Sequence, residues 1–482
     1  MAFFNSQNNT LGGEFHVRTF RARSILTFSA LTSLLLSACS PDTEITETAP
    51  TLETQAGLYA FENVNVIPMD REHVLNNQTV VVRDGRIESV QPAGHGLPEG
   101  ATLIDGSGRY LMPGLAEMHG HVPGDDNPQY VEDTLFLYIS NGVTLVRGMA
   151  GSPSHIELRQ RLLEGELDGP TLYAAGPWLG PHNAGSEEQT RATVREHYEA
   201  GFDLLKVGNL PADQYPIMVE EAQSLGIPFA GHIPPGVSLE QALKAGQDSI
   251  DHLDRYVEFL AAENVDSSIT DTGFFGSALV EDVDMNRLPD AVTLTLEAGT
   301  WNVPTLSLVE HLASEEDPES MARWPEMRYL PDDVVNGWVQ AKHDFQQRED
   351  FQPEAAQRLV EIRQEILMAL HDGGAPIVLG SDAPQFFNVP GFSIHHELAM
   401  MVAAGMTPYE VLVTGTRNAA QYFDAADESG LVAPGHRADL ILLDANPLQD
   451  ISAVQQRAGV MVRGKWFSES DIQSRLEEIA GR

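Results

Sequence analysis

Eight times between residues 113 and 425 a short apolar run gives way to a longer stretch of helical character, and nothing else in the sequence restricts the fold as much. The runs are 114–118, 143–146, 171–175, 202–207, 228–231, 248–251, 301–306 and 377–380. Strands separated by helix-length connections pair in parallel, because a parallel pair needs a crossover that returns the chain to the same end. The clearest helix spans 353–370, with Leu359, Ile362, Ile366 and Leu370 on one face, Pro353 at its start and Gly373-Gly374 at its end. This repetition predicts an α/β fold, a (β/α)8 TIM-type barrel over 113–425. A doubly wound open sheet is the alternative, but no glycine-rich phosphate loop follows the first run. Two connections are long, 253–290 and 307–352; both leave C-terminal strand ends and so overhang the mouth of such a barrel.

Before and after this region the pattern changes to short strands and turns. Phe61–Ile67, Thr79–Val82 and Ile87–Val90 are strand candidates in 57–112, with the turn Asp84-Gly85 between the last two. A similar stretch returns in 426–482, at Ala438–Leu443 and Gly459–Lys465, followed by a C-terminal helix. Neither piece has enough strands to close a stable sheet alone. The two ends are therefore expected to build one composite β-sandwich module.

Residues 1–38 read as a signal peptide: Arg18, Arg21 and Arg23 precede an apolar run from Ile25 to Leu36, which is too short to span a bilayer. Leu36-Ser37-Ala38-Cys39 resembles the lipobox of bacterial lipoproteins, which implies lipidation at Cys39. Ser40 in place of Asp then favours the periplasmic face of the outer membrane within the cell envelope. Residues 39–56, rich in Thr, Glu and Pro, read as a tether. Cys39 is the one cysteine, which rules out an intramolecular disulfide framework and any cysteine-based zinc cluster. With 29 basic against 70 acidic residues, a net charge of −41, the surface repels nucleic acid and anionic lipid, leaving the lipid anchor as the membrane contact. A saline habitat and plain solubility account for that excess equally well. Neither charge nor composition specifies an oligomeric state.

On the barrel, the chemistry-bearing residues fall at matching positions. His119-Gly120-His121 ends the first run, where alternate residues of an extended segment share a face. Lys206 ends the fourth, His232 the fifth, His252 the sixth and Asp382 the eighth. A lone histidine at a strand end is usually structural. Four histidines, a lysine and an aspartate at five different strand ends on one rim point instead to a metal site.

These motifs resemble the metal-dependent amidohydrolase superfamily over nearly all of the chain after the tether: Pro-Gly-Leu-Ala-Glu-Met-His-Gly-His (113–121), Lys206, Gly-His (231–232), Asp-Ser-Ile-Asp-His (248–252), Gly-Ser-Asp-Ala (380–383) and Pro-Gly-His-Arg-Ala-Asp-Leu (434–440). The likeness is greatest to the Xaa-Pro dipeptidase-like and imidazolonepropionase-related branch. One departure is Arg147-Gly148, where that branch often has Arg-Asp. The resemblance implies two divalent metals, with zinc best suited to these ligands. His119, His121 and Asp382 hold one, His232 and His252 the other, and Lys206 bridges both. An ammonium cannot ligate a cation, so the bridge requires Lys206 as its carbamate, a carboxylated lysine. The implied reaction is hydrolysis of an amide C–N bond in a small substrate, such as a dipeptide or N-acyl amino acid. A hydroxide shared by the metals attacks the carbonyl, and Asp382 carries the proton to the leaving nitrogen. His182, after the third run, and Tyr256, beyond His252, are candidates for contacting substrate, the other readings being a plain loop histidine and packing inside the long connection. The alternatives are a one-metal deaminase-type or lactam- or ester-cleaving member, and a non-catalytic binding lipoprotein. Against the deaminase, Ile233-Pro234-Pro235 follows His232 with no nearby acid.

Overall fold

The structure, a computed structural model, describes residues 57–261, 265 and 272–482. The signal, Cys39 and tether readings lie outside these residues. Among the described residues fifteen strands are formed: β1 (Leu58–Val66), β2 (Leu75–Arg83), β3 (Arg86–Pro92), β4 (Thr102–Asp105), β5 (Tyr110–Pro113), β6 (Leu115–Gly120), β7 (Val143–Gly148), β8 (Thr171–Ala174), β9 (Leu205–Val207), β10 (Phe229–Gly231), β11 (Ser249–Asp251), β12 (Trp301–Val303), β13 (Leu440–Leu443), β14 (Arg457–Val462) and β15 (Lys465–Ser468).

The first five and last three strands share one eight-stranded sheet, ordered β15-β14-β13-β5-β1-β2-β3 with β4 also on β1. The seam between the chain ends is the antiparallel pairing of β13 with β5, from Leu440↔Pro113 to Leu443↔Tyr110. Asp84 and Gly85 both have positive φ, 48° and 72°, which gives the two-residue turn whose twist matches a β2–β3 hairpin. Phe61, Val80, Val82, Leu111, Leu440, Leu442 and Met461 form a separate apolar core for this β-rich module.

The remaining strands pair in parallel as two sheets, β6-β7-β8 and β12-β11-β10-β9. Bridges Ala175↔Leu204 and Leu179↔Val207 join their neighbouring edges. At the other side the run 377–380 is not a full strand. It makes one parallel bridge, Ile377 to Asn302 of β12. Across from that, Met118 N–H donates to the Leu379 carbonyl at 2.8 Å. Gly380 explains how close the chain comes here: a Cβ there would meet Val303 Cγ1 at 2.6 Å and the His119 nitrogen at 2.8 Å. Helices intervene between the strands, an arrangement consistent with a TIM-barrel-like structure. The helix Pro353–Gly373 buries Leu359, Ile362, Ile366 and Leu370 completely, as its apolar stripe requires. The long connection after β12 is itself helical, with Leu306–Ala313, Pro318–Met321 and Asp332–Gln346. Among the described residues no helix is long and apolar enough to cross a membrane.

Candidate metal centre

The C-terminal ends of the parallel strands place the chemistry. His119 and His121 end β6, Lys206 sits in β9, and His232 and His252 follow β10 and β11. Asp382 follows the run beside β12. His119, His121 and Asp382 form the one cluster among the described residues whose His, Cys, Asp or Glu donor atoms all lie within 4.8 Å. His121 Nε2 is 2.5 Å from Asp382 Oδ1, and His119 Nε2 is 3.5 Å from the same oxygen. The other three sequence candidates join this group. Lys206 Nζ is 3.3 Å from His119 Nε2, and the His252 ring stands 4.5 Å from that of His119. His252 Nδ1 is 3.7 Å from Asp382 Oδ2, and the His232 ring stacks on His252 at 4.6 Å.

The hydrogen bonds around these rings decide which nitrogen each presents. His252 Nδ1 meets Thr305 Oγ1 at 2.8 Å, and His232 Nδ1 meets Asp254 Oδ2 at 2.9 Å. His119 Nδ1 lies 2.7 Å from Asp251 Oδ2. The His252 and His232 rings are thus anchored at Nδ1 with Nε2 left to coordinate, as outer partners of metal-bound histidines arrange, while His119 Nδ1 faces Asp251 as a close ion-pair contact and not as a hydrogen bond. Burial, reinforced by neighbouring positive charge, holds His119 and His252 well below the ordinary histidine range. They are therefore neutral, the form that ligates. Burial also lowers Lys206, against the pull of Asp251 and Asp382, which favours the neutral amine that carbon dioxide can carboxylate. The donor set fits divalent metal: convergent imidazoles, a carboxylate and a buried amine.

Several supports were not picked out from the sequence. Arg147, fully buried in β7, donates to Asp251 Oδ1 at 3.1 Å, to Ser249 Oγ at 2.9 Å, to Tyr422 Oη at 2.7 Å and to the Met118 carbonyl at 2.6 Å. Burial pushes Asp251 up, but Arg147, Lys206 and His252 together outweigh it and leave it ionised below its usual range. Glu117 accepts from Ser381 N–H at 2.8 Å and Oγ at 2.6 Å, binding the Asp382 turn to β6; burial lifts its carboxyl to about 8. Period-two alternation was the available signal, since Glu117 shares a face with His119, and Asp251 with Ser249. Gln385 donates to Asp382 Oδ2 at 2.9 Å. Non-glycine residues with positive φ gather at these strand ends: His252 (59°), Leu253 (49°), Arg255 (67°), Thr305 (45°) and Asp382 (66°). Each costs of order 1 kcal/mol or more, so the surroundings must hold them.

Two candidates are placed elsewhere. Tyr256 is completely buried and its hydroxyl is committed to Thr295 Oγ1 at 2.7 Å and Asn302 Oδ1 at 3.0 Å. It braces β12, which corrects the substrate-contact expectation in favour of packing. The polar tip of a buried tyrosine needs a partner, and these two supply it. His182 is exposed in the turn after β8, with Nδ1 near Gly180 on the Trp178 side of the rim, and the residues described here bring it to none of the six ligand candidates.

The amidohydrolase family model matches residues 110–467. The chain therefore belongs to the amidohydrolase family, a class of metal-using hydrolases acting on C–N bonds. Among characterised relatives, ochratoxinase from Aspergillus niger is 23% identical over 419 residues, covering 73% of each chain. Imidazolonepropionase from Salmonella agona (strain SL483) is 23% identical over 415 residues, 80% of this chain and 91% of its own. A Xaa-Pro dipeptidase solved with methionine in its active site superposes with a TM-score of 0.63 at 20% identity, covering 86% of this chain and 100% of that one.

Proposed function

We propose that this protein is a binuclear amidohydrolase that cleaves the amide bond of a small substrate such as a dipeptide or N-acyl amino acid. The observation that carries this reading is the convergence of four imidazoles, Asp382 and the buried Lys206 amine on one strand-end rim. His119, His121 and Asp382 would hold one divalent ion and His232 and His252 the second, with carboxylated Lys206 between them. Metal held there would supply Lewis-acid polarisation of a carbonyl and a lowered pKa, toward ~7, for coordinated water. Asp382 has Oδ1 against His121 and Oδ2 held by Gln385, 3.7 Å from His252 Nδ1, so it could keep its ligand contact while passing a proton to the leaving nitrogen. Asp251 and Arg147 hold His119 in place, and Thr305 and Asp254 do the same for His252 and His232.

The same reading takes the two parallel sheets and the run 377–380 as one closed eight-position barrel, supported by the bridges at both edges. Purified protein assayed for bound metal and against Xaa-Pro dipeptides, N-acyl amino acids, lactams and esters tests the activity. Two metals per chain with amide turnover lost on chelation supports it; under one metal and no turnover after reconstitution ends it. The lipid anchor is a separate proposal resting on Leu-Ser-Ala-Cys at 36–39. Cys39→Ser should stop lipidation and processing, and a variant that still fractionates with membranes like the wild type refutes it.

A further inference from the structure

A cavity of about 330 Å³ opens beside His232, and its walls divide into an aromatic part and a charged part. Trp178 stands edge-on to His232 at 6.3 Å between ring centroids, and Phe275 tilts against His252 at 5.6 Å. The two imidazoles stack on each other at 4.6 Å, so each member of the pair has one aromatic residue of the cavity wall beside it. Trp178 keeps 42% of its surface exposed, although large aromatics are normally covered, so its ring offers unused contact area inside the cavity.

On the charged wall both carboxylates are engaged. Asp254 accepts from Ile233 N–H at 3.3 Å and meets His232 Nδ1, while Glu258 accepts from Arg255 Nη1 at 2.7 Å and Thr272 Oγ1 at 3.1 Å. Arg255 also donates through Nε to the Ile233 carbonyl at 3.3 Å, which fixes the plane of its guanidinium. Its Nη2 makes no hydrogen bond among the described residues. Guanidinium nitrogen can only donate, so an unused Nη2 in a lined cavity calls for an acceptor, best a carboxylate. The volume lies near the lower limit for pockets that enclose a small molecule, room for one amino acid and not for an extended chain.

We propose that this cavity binds the amine half of the scissile amide and selects an aromatic amino acid with a free α-carboxylate, the ring between Trp178 and Phe275 and the carboxylate on Arg255. This deepens the amidohydrolase reading and rests on it for the direction of cleavage. In an N-acyl amino acid the carboxylate belongs to the amine side, so a carboxylate on Arg255 puts the leaving amino acid in this cavity and the acyl group outside it.

The test compares metal-loaded protein on N-acetyl-L-phenylalanine, N-acetylglycine and N-acetyl-L-phenylalaninamide, with calorimetric binding of free L-phenylalanine and glycine alongside. We expect kcat/KM for the phenylalanine acid to exceed both others by about tenfold or more, the scale a filled apolar pocket discriminates. Trp178→Ala should collapse the phenylalanine-to-glycine ratio, and Arg255→Met the acid-to-amide ratio; because Arg255 also braces Ile233, Arg255→Lys serves as the folded control. Equal rates on acid and amide, a preference for glycine, or ratios untouched by Trp178→Ala overturn the proposal. If no amide turns over, binding still decides: L-phenylalanine bound more tightly than glycine, with the difference lost in Trp178→Ala, upholds the cavity while the hydrolase reading falls. Absence of that binding overturns the cavity proposal itself.

Discussion

The two halves of the proposed metal centre are joined by different kinds of bond. His119, His121 and Asp382 are set by the backbone: Asp382 N–H donates to the His119 carbonyl at 2.9 Å, and His121 N–H to the Ala383 carbonyl at 2.7 Å. Glu117 adds a buried carboxylate across the same seam. His232 and His252 instead follow strands of only three residues; their N–H groups reach the Val207 and Val303 carbonyls at 3.1 and 2.8 Å and not one another, and a side chain orients each ring: Asp254 for one, Thr305 for the other. Backbone register is shared by many residues and changes little when one side chain is replaced. A side-chain anchor is lost with a single substitution. The first half should therefore tolerate replacement around it better than the second, with Lys206 and Asp251 the points where the halves meet.

Lys206 offers the largest effect. Its amine faces His119 from the opposite strand end, and as a carbamate it would serve both halves at once. Lys206→Arg should abolish turnover and lower metal content, because guanidinium stays protonated and takes up no carbon dioxide. Lys206→Ala should lose at least one metal without unfolding, and formate or propionate should restore part of the binding by supplying a carboxylate. Two metals and normal rates in Lys206→Arg would remove the bridge from the mechanism.

Asp251 comes next. It lies 2.7 Å from His119 Nδ1 and 3.9 Å from Lys206 Nζ, with Arg147 balancing its charge. Asp251→Asn keeps the shape and removes the charge, and metal affinity should fall by about 10- to 100-fold, the usual penalty for an outer partner. Both metals should weaken together, since Asp251 reaches a ligand and the bridge. A competition titration with a chelator reads this directly, and unequal weakening would place Asp251 in the first half alone.

The candidate ligands were legible in the sequence because each combines a reactive residue type with a strand end, and strand ends follow from the alternation of apolar runs. Their supports were less so. Asp251 and Glu117 look like polar interruptions of buried strands until the neighbouring strands bring Arg147 and Ser381 against them. Thr305 carries no local signal at all: its left-handed backbone depends on Glu397, some ninety residues later, accepting the Leu306 and Ser307 N–H groups at 2.9 and 2.8 Å. Tyr256 was left between substrate contact and packing for the related reason that position beside His252 does not give direction; its hydroxyl turns inward to Thr295 and Asn302. The partial strand at 377–380 shows the same limit, since a run rich in apolar residues fixes where the chain is buried but not how many bridges it makes.

Thr305→Val tests the weaker half. The swap keeps the branched shape and deletes the one hydroxyl that meets His252 Nδ1. Affinity for the second metal should drop by about tenfold while the first is held, so that stoichiometry passes through one per chain on dialysis. Simultaneous loss of both metals would contradict the division of the centre into halves.

The smallest effect is on stability and isolates the anchor behind Thr305. Glu397 is fully buried, and burial lifts its carboxyl to about 7, in spite of the two backbone N–H groups that favour its charge. In the unfolded chain it titrates near the ordinary glutamate value. Between those two values the folded protein binds the proton more tightly, so this contribution is complete at low pH and is lost as pH rises through about 7. His311 and His395, both held near about 3 by burial, run the other way and destabilise the fold as pH drops below the histidine range. The two trends overlap, and only a difference separates them. Glu397→Gln keeps an oxygen for one N–H and removes the titration. The gap in unfolding free energy between wild type and variant should therefore narrow from pH 5 to pH 7.5, by about 3 kcal/mol at most. Denaturant unfolding at several pH values measures it, and a gap that stays constant would mean Glu397 is ionised in the folded protein throughout.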